Sequence, residues 1–526
     1  MVSLLTSSGS MTVRSDWCSR ARTVRCSRLR AGSSFLVRWP FSIELVRIAW
    51  RMHEQRWPVL RRSWPGGGRA TAGHDLSSGD RRGVASLIPA VRRLPGSVRR
   101  AALVGRTIRA AAADITPLRE SAAFRRLFAG QTVSLVGTQV TRVAVPLQVY
   151  GITRSSLDVG LIGLAGFVPL VVFGLYGGSI ADAVDRRKLV LVTSTGTMLI
   201  SVILLVQAVL EINRVSVLFT CVVVQAAFVA IDSPARRAII PQLVRVEKLP
   251  AANTLSFGST QLTMITGPLL AGAAVAAGGF GWAYAIDVAS FAGAFYAAAR
   301  LPSLPPGQGA RRAGFASVLE GLRFLASRRV VLMTFVADLI AMIFGTPVAL
   351  FPALAYEQYG GGAGTAGLLY AAPAVGAVVA TLLGGAIARV HRHGLGVVLS
   401  IAMWGLTITL FGLTSALWLG LVLLVLAGAA DTVSAVYRST ILQVATPPGM
   451  QGRLQGVFIV VVTGGPRLGN LEAGAVAAAF TPQVSVVSGG LACLAGIGLL
   501  ALAVPALVRY DARTATVRPG PGEVTA

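Results

Sequence analysis

The residues best able to do chemistry in this chain are a small set of charges placed in apolar surroundings. Asp182 stands in a tight turn, Gly177-Gly178-Ser179-Ile180-Ala181-Asp182-Ala183-Val184-Asp185-Arg186-Arg187-Lys188, between two long apolar runs. Its glycines let two helix ends approach, its carboxylate can accept hydrogen bonds from a neighbouring helix N-terminus, and the Arg186, Arg187, Lys188 cluster holds the turn on the cytoplasmic side of a bilayer. Inside the apolar runs themselves stand Arg142, Asp287, Asp338, Asp431, Arg467 and Glu472. A charge at the centre of a bilayer costs about 2.5–3.5 kcal/mol even on insertion scales, so each must face a cavity or a partner. Asp338 and Glu472 lie deep enough to load and unload a proton as access alternates; a structural ion pair with Arg142 or Arg467 is the competing reading. Asp287, toward the outer end of its run, and Asp431, toward the inner half of its own, read as capping or loop contacts.

Two further patterns surround these charges. Gln131, Ser134, Thr138 and Arg142 are spaced by three, four and four, which places them on one face of a helix lining either a cavity or a contact with another helix. Thr263-Met-Ile-Thr-Gly267-Pro268-Leu-Leu-Ala271-Gly272 puts a proline and two small residues into a later run. Proline frees a carbonyl and bends a helix, while Gly267 and Gly272 permit close packing, so the stretch predicts a hinge or a tight seal.

The elements that must position these residues are membrane helices. The 526 residues are 54% hydrophobic and only 13% charged, with a mean hydropathy of +0.68, which is a polytopic membrane composition. From Phe124 onward, apolar segments of about 20 residues, the length needed to span, recur roughly twelve times. The expected spans are 125–149, 157–181, 188–210, 214–236, 254–277, 281–300, 330–356, 365–388, 395–414, 417–438, 453–479 and 484–508. Residues 1–114, rich in Arg, Ser, Trp, Gly and Pro, contain no such run and read as a basic extension: a disordered arm, residues upstream of the true start, or a segment whose partly amphipathic Phe35–Trp57 lies on an anionic membrane surface. Its apolar stretches are interrupted by Arg and Trp, unlike a signal peptide.

The net charge of +27 does not point to nucleic acid, because the basic residues lie in the extension and in alternate short loops without an aromatic-basic module. The connections after spans two, four, six, eight and ten carry Arg186, Arg187, Lys188, Arg236, Arg237, Arg245, Lys248, Arg311, Arg312, Arg323, Arg328, Arg329, Arg389, Arg392 and Arg453. The opposite connections carry little beyond Arg154 and Arg214. Both termini are therefore expected in the cytoplasm. Cys18, Cys26, Cys221 and Cys493 have no metal-ligand or disulfide spacing, and the four histidines lie outside the spans, so no metal, cofactor or enzymatic constellation is expected.

An internal repeat divides the spans into two sets of six. Gly160-Leu-Ile recurs as Gly367-Leu-Leu and Gly177-Gly178 as Gly384-Gly385, both at an offset of 207 (367 − 160 and 384 − 177). Arg237 and Gln242 recur as Arg438 and Gln443, and Gly267-Pro268 as Gly465-Pro466. The expected organisation is a bundle over 115–301, a cytoplasmic linker with an amphipathic helix over 302–329, a second bundle over 330–508 and a tail over 509–526.

The Gly-x-x-x-Asp-x-x-x-Arg-Arg-Lys turn closely resembles the signature between helices two and three of the major facilitator superfamily. Pro117-Leu-Arg with Phe124-Arg-Arg-Leu-Phe-Ala-Gly-Gln, Arg142-Val-Ala-Val-Pro146-Leu-Gln-Val-Tyr150 and Ala285-Ile-Asp287-Val-Ala-Ser290-Phe291 resemble its enterobactin-exporter-like and macrolide-efflux-like branch, over about Ile115 to Tyr510. The resemblance implies an all-α fold of about twelve membrane helices in two pseudo-symmetric bundles. It implies a monomeric secondary transporter in a bacterial inner membrane, exporting a small amphiphilic drug or siderophore by alternating access with protons as coupling ion. Gly178, Asp182, Arg186 and Arg187 would then form a latch of the outward-facing state, with Asp182 docking near Arg467 or around Gly452–Arg453. Gly267, Pro268 and Gly272 resemble the antiporter motif, although the family's first glycine is Thr263 here. Gln131, Thr138, Arg142, Asp338, Arg467 and Glu472 are the candidates for substrate cavity or proton coupling. The chain departs from the pattern at Thr138, where many members carry Asp, and over Ser216–Ala230, which lacks the antiporters' Arg. An importer of a metabolite and a non-transporting scaffold or sensor are the alternative readings.

Overall fold

A computed structural model describes residues 114–174, 184–302, 323–387, 389–446 and 451–511. The expectations for the extension, for most of the linker and for Gly178 and Asp182 lie outside the described residues. Among the described residues every regular element is helical.

After a short turn at Thr116–Glu120, α1 spans Ala122–Thr153 and begins where the Ser121 hydroxyl accepts from the Phe124 amide (3.1 Å). Ser155 caps α2, Ser156–Ala165, by accepting from the Asp158 amide (3.2 Å), and this span runs on to Gly174. The Asp185 carboxylate accepts from the Arg187 amide (2.8 Å) at the start of α3, Arg186–Val209; α4 is Val215–Leu243. Leu249–Ala299 folds as one hydrogen-bonded helix broken at Gly278 and Gly279, so its arms are α5 (249–277) and α6 (280–299). Gly279 has φ 73°, a conformation that glycine adopts without strain.

The second set begins with α7, Arg329–Phe344, and continues with α8, Gly362–Leu382, α9, His393–Leu413, and α10, Leu417–Ala445. It ends with α11, Gln451–Ala479, and α12, Pro482–Ala503, the latter capped by the Thr481 hydroxyl on the Val484 amide (3.2 Å). Within the first set α1 packs on α5 and α6, and α3 on α4; within the second, α9 packs on α10 and α12, α8 on α10, and α7 on α11.

Counting Leu249–Ala299 once, nine segments among the described residues are long and apolar enough to cross a membrane. The long helices outside that set are α1 and α11, of 32 and 29 residues, whose polar side chains lower their hydropathy. Val168, Val192, Leu199, Leu399 and Leu499 stay more than half exposed, an apolar belt suited to lipid and not to water.

The structure corrects three sequence-based spans. The spans expected over 214–236 and 417–438 each continue about two helical turns further, to Leu243 and Ala445, because Arg236 and Arg438 are buried against carboxylates and do not mark loops. The span expected over 330–356 is not one helix. After Gly345 and Pro347 it becomes a 3₁₀ turn at Val348–Leu350 and a π-turn at Leu354–Gln358. The polar groups freed at this break find partners: Trp404 Nε1 donates to the Gly345 carbonyl (2.9 Å) and the Ala349 amide donates to Asn470 Oδ1 (3.1 Å).

Candidate functional site

Among the described residues the basic connections, over residues 186–188, 245–248, 328–329 and 389–392, fall at one end of the helices, the basic end, and the helices of the two sets approach each other toward the opposite end. Along α2 and α11, a Cβ on Gly160 would stand 2.4 Å from the Asn470 carbonyl oxygen, and one on Gly474 would stand 2.6 Å from the Ser156 carbonyl oxygen. Along α5 and α8, a Cβ on Gly272 would lie 2.8 Å from the Ala363 carbonyl oxygen, and one on Gly367 would lie 2.6 Å from that of Pro268. Both seams are backbone-to-backbone contacts that only glycine allows. Tyr150 of α1 donates its hydroxyl to Glu357, and its ring stacks on Tyr356 (6.4 Å between centroids) beyond the end of α7.

Toward the basic end the same helix faces separate. Gly174, fourteen residues on from Gly160, and Gly258, fourteen residues before Gly272, have no atom within 4 Å of the space a Cβ would fill, among the described residues. Fourteen residues bring a helix back to nearly the same face, within about 40°. The two sets therefore enclose a cleft closed at the opposite end and open at the basic end.

Arg142 and Arg467 stand at the closed end of this cleft. Arg142 lies on α1 half a turn of the helix round from Val133, the exposed apolar residue of that stretch, and its guanidinium donates to Gln139 Oε1 (3.0 Å). Arg467 of α11 lies over the Phe167 ring (5.8 Å to the centroid) and beside Gly166 of α2. The Arg467 guanidinium thus reaches the first set at Gly166, ten residues into α2 and at about the depth of Arg142 on α1. Among the described residues neither has a carboxylate within 4.0 Å.

The remaining polar stripe is less available. Ser134 is buried, and its hydroxyl donates to the Gln131 carbonyl (3.1 Å); Thr138 donates to the Ser134 carbonyl (2.8 Å). Gln131 and Thr138 are half-buried. In α5, Thr263, Gly267, Pro268 and Gly272 are all buried, Gly267 against Gln139 of α1, and the dihedrals stay helical past Pro268. This stretch serves as a seal in the form described.

The intramembrane acids are not arranged as the sequence reading expected. Asp338 pairs with Arg438 of α10, not with Arg142 or Arg467, and Asp431 stands 3.7 Å from the same guanidinium. Asp431, its side chain 39% exposed, is thus at the edge of that buried pair and not a capping residue. Asp287 is fully buried, accepting from Thr141 (2.7 Å) and Ser201 (2.7 Å) across α1, α3 and α6, which replaces the expected loop contact. Glu472 is half-buried and has no ion pair among the described residues.

Of the expected latch, Arg186 and Arg187 are described. Arg187 donates to the Ala299 carbonyl (2.7 Å), placing a cation at the C-terminal end of α6, and Arg186 is buried at the start of α3. Arg467, one of the two docking sites expected for Asp182, lies about 24 Å of helix rise beyond the start of α11 and is engaged with α2. The Arg453 side chain lies outside the described residues.

Three arrangements were not anticipated from sequence. Asp232 accepts from Thr193 (2.6 Å) and pairs with Arg236, which donates to Ser194 (2.9 Å), tying α3 to α4. Gln148, Gln207 and Tyr284 form a buried network in which Tyr284 donates to Gln148 Oε1 (2.7 Å). The third is the Tyr150–Glu357 bond. The first had a readable signal, an acid and an arginine at i and i+4; the others pair residues too far apart in the chain for spacing to reveal.

A family model described as transmembrane secretion effector matches residues 112–521. The enterobactin exporter EntS of Escherichia coli O9:H4 (strain HS) is 33% identical over 419 residues, covering 78% of this chain and 97% of that protein. The protein of the same description from Shigella dysenteriae serotype 1 (strain Sd197) matches with the same identity and coverage. Among solved structures, the nucleoside transporter NupG superposes with a TM-score of 0.58 at 14% identity, over 74% of this chain and 100% of that one. A bacterial homologue of the iron transporter ferroportin in an inward-facing state gives 0.55 at 15% identity, over 74% and 99%. At such identities the likeness is one of fold.

Proposed function

The chain belongs to the transmembrane secretion effector family of the major facilitator superfamily, and from that premise we propose that it exports a small amphiphilic molecule of the siderophore or drug class from a bacterial cell. The observation that carries the reading is the cleft, sealed at one end and open at the basic end. If the basic end faces the cytoplasm, as the distribution of Lys and Arg favours, the cleft is open to the side from which an exporter loads.

In this mechanism the bundles over 115–301 and 330–508 rock as units about the substrate, tethered by 302–329. The α2–α11 and α5–α8 seams close the periplasmic side, together with Tyr150 and Glu357. Loading allows the basic end to close, where Gly178, Asp182, Arg186 and Arg187 act as the latch, while the glycine seams part. Gln131, Thr138, Arg142 and Arg467 line the path. Protons drive the cycle. Asp338 is held by Arg438, so the coupling carboxyl is Glu472 or Asp287, neither of which has a cationic partner among the described residues.

Efflux from dye-loaded cells tests the reading. Export that depends on the protein, falls with a protonophore and is lost in Glu472→Gln or Asp287→Asn is the expected result. Protein-dependent export that ignores both the protonophore and these substitutions would remove the coupling. Accumulation instead of efflux would reverse the direction.

A further inference from the structure

Two arginines set at one depth, one in each bundle, with no carboxylate within 4.0 Å of either among the described residues, are an incomplete arrangement. Arg142 and Arg467 come from opposite bundles and lie at matching depth, 11 residues before the end of α1 and 12 before the end of α11 (153 − 142 and 479 − 467), about 17 and 18 Å of helix rise. A guanidinium offers five N–H donors. Arg142 gives one hydrogen bond, to Gln139; Arg467 makes none among the described residues, and none of its nitrogens is both sealed from solvent and unpartnered. Glu472, the nearest acid along α11, lies five residues on and about 140° round the helix.

We propose that Arg142 and Arg467 form a two-sided site for an organic anion, and that the cargo is an amphiphile bearing carboxylate, phenolate or sulfonate groups on an aromatic or apolar body. The proposal rests on the exporter reading and specifies its cargo. A cation entering this cleft would meet two like charges, and a neutral molecule would leave both without a counter-charge. An anion supplies it and accepts charge-assisted, bidentate hydrogen bonds from both sides. The Phe167 ring under Arg467 supplies an apolar surface for the body of the ligand. Because each bundle contributes one arginine, an anion between them also draws the bundles together. The site therefore links loading to closure of the basic end, and the empty carrier resists that closure.

The test compares two dyes built on the same xanthene ring system, carboxyfluorescein as the anion and rhodamine 123 as the cation. Binding to the full-length protein in lipid nanodiscs is followed by fluorescence anisotropy. The wild type is expected to bind carboxyfluorescein about tenfold or more tightly than rhodamine 123, and Arg142→Gln and Arg467→Gln should each weaken that binding about tenfold. Arg142→Lys and Arg467→Lys should recover part of it, and no variant should lower the melting temperature, since neither arginine holds a carboxylate. Equal affinity for the two dyes, binding of neither, or unchanged anion affinity in either Gln variant would overturn the site. Efflux from cells separates this from the exporter reading. Export of rhodamine 123 without carboxyfluorescein binding rejects the anion site and leaves export standing. Arginine-dependent anion binding without export of any dye supports the site and rejects export.

Discussion

Several arginines sit within the helices of this protein, and the contrast between two pairs of them separates structure from function. Arg236 and Arg438 occupy α4 and α10, near the basic end of each bundle, and each is paired with an acid, Asp232 or Asp338. Arg142 and Arg467 occupy α1 and α11 at matching depth, and among the described residues neither is paired with one. The same side chain is a fixed internal brace in one setting and an open binding group in the other. Neighbours decide which: Arg236 and Arg438 are buried and need a fixed acid, whereas Arg142 is exposed and Arg467 half-buried, open to something that arrives.

The comparison breaks most sharply at Arg438. Arg438→Ala leaves Asp338 buried and alone, and should destabilise the protein by about 3–5 kcal/mol, read from unfolding in detergent. The double variant Asp338→Leu with Arg438→Met should recover most of that loss, since similar-sized apolar residues replace the pair. Full stability of the single variant would contradict the brace.

Arg236→Ala should cost less, about 1–3 kcal/mol, because Asp232 remains partly hydrated and keeps its bond from Thr193. Tyr150→Phe removes a hydrogen bond that crosses between the bundles, worth about 0.5–1.5 kcal/mol. Spin-label distances across the two ends should then shift the populations toward the form closed at the basic end, by about twofold to tenfold. An unchanged distribution would mean the glycine seams hold the closed end alone. The smallest effect is expected on the polar stripe itself. Ser134→Ala removes a hydroxyl already bonded to its own helix, so stability should change by less than about 0.5 kcal/mol, with efflux near wild type.

Most of the fold was legible because membrane helices advertise themselves by length and hydropathy, and short basic turns mark their ends. The misplaced ends of α4 and α10 came from the same rule, since Arg236 and Arg438 look like loop markers until their acids are found. The break in α7 was hidden because its carbonyl and amide are satisfied by Trp404 and Asn470, distant in sequence. At the candidate site, helical spacing alone sets Gln131, Ser134, Thr138 and Arg142 along one side of α1. It could not distinguish hydroxyls spent on the backbone from an arginine left open, nor assign Asp338 to Arg438 in preference to Arg142 or Arg467. Those outcomes depend on which helix faces meet, and one chain's periodicity does not carry that information.

The most direct measurement is uptake of carboxyfluorescein into inside-out membrane vesicles, compared at equal amounts of folded protein. The wild type and the Asp338→Leu, Arg438→Met double variant should accumulate the dye, while Arg142→Gln and Arg467→Gln should not. Accumulation by the two Gln variants at the wild-type rate, or its absence in the wild type, would contradict the account.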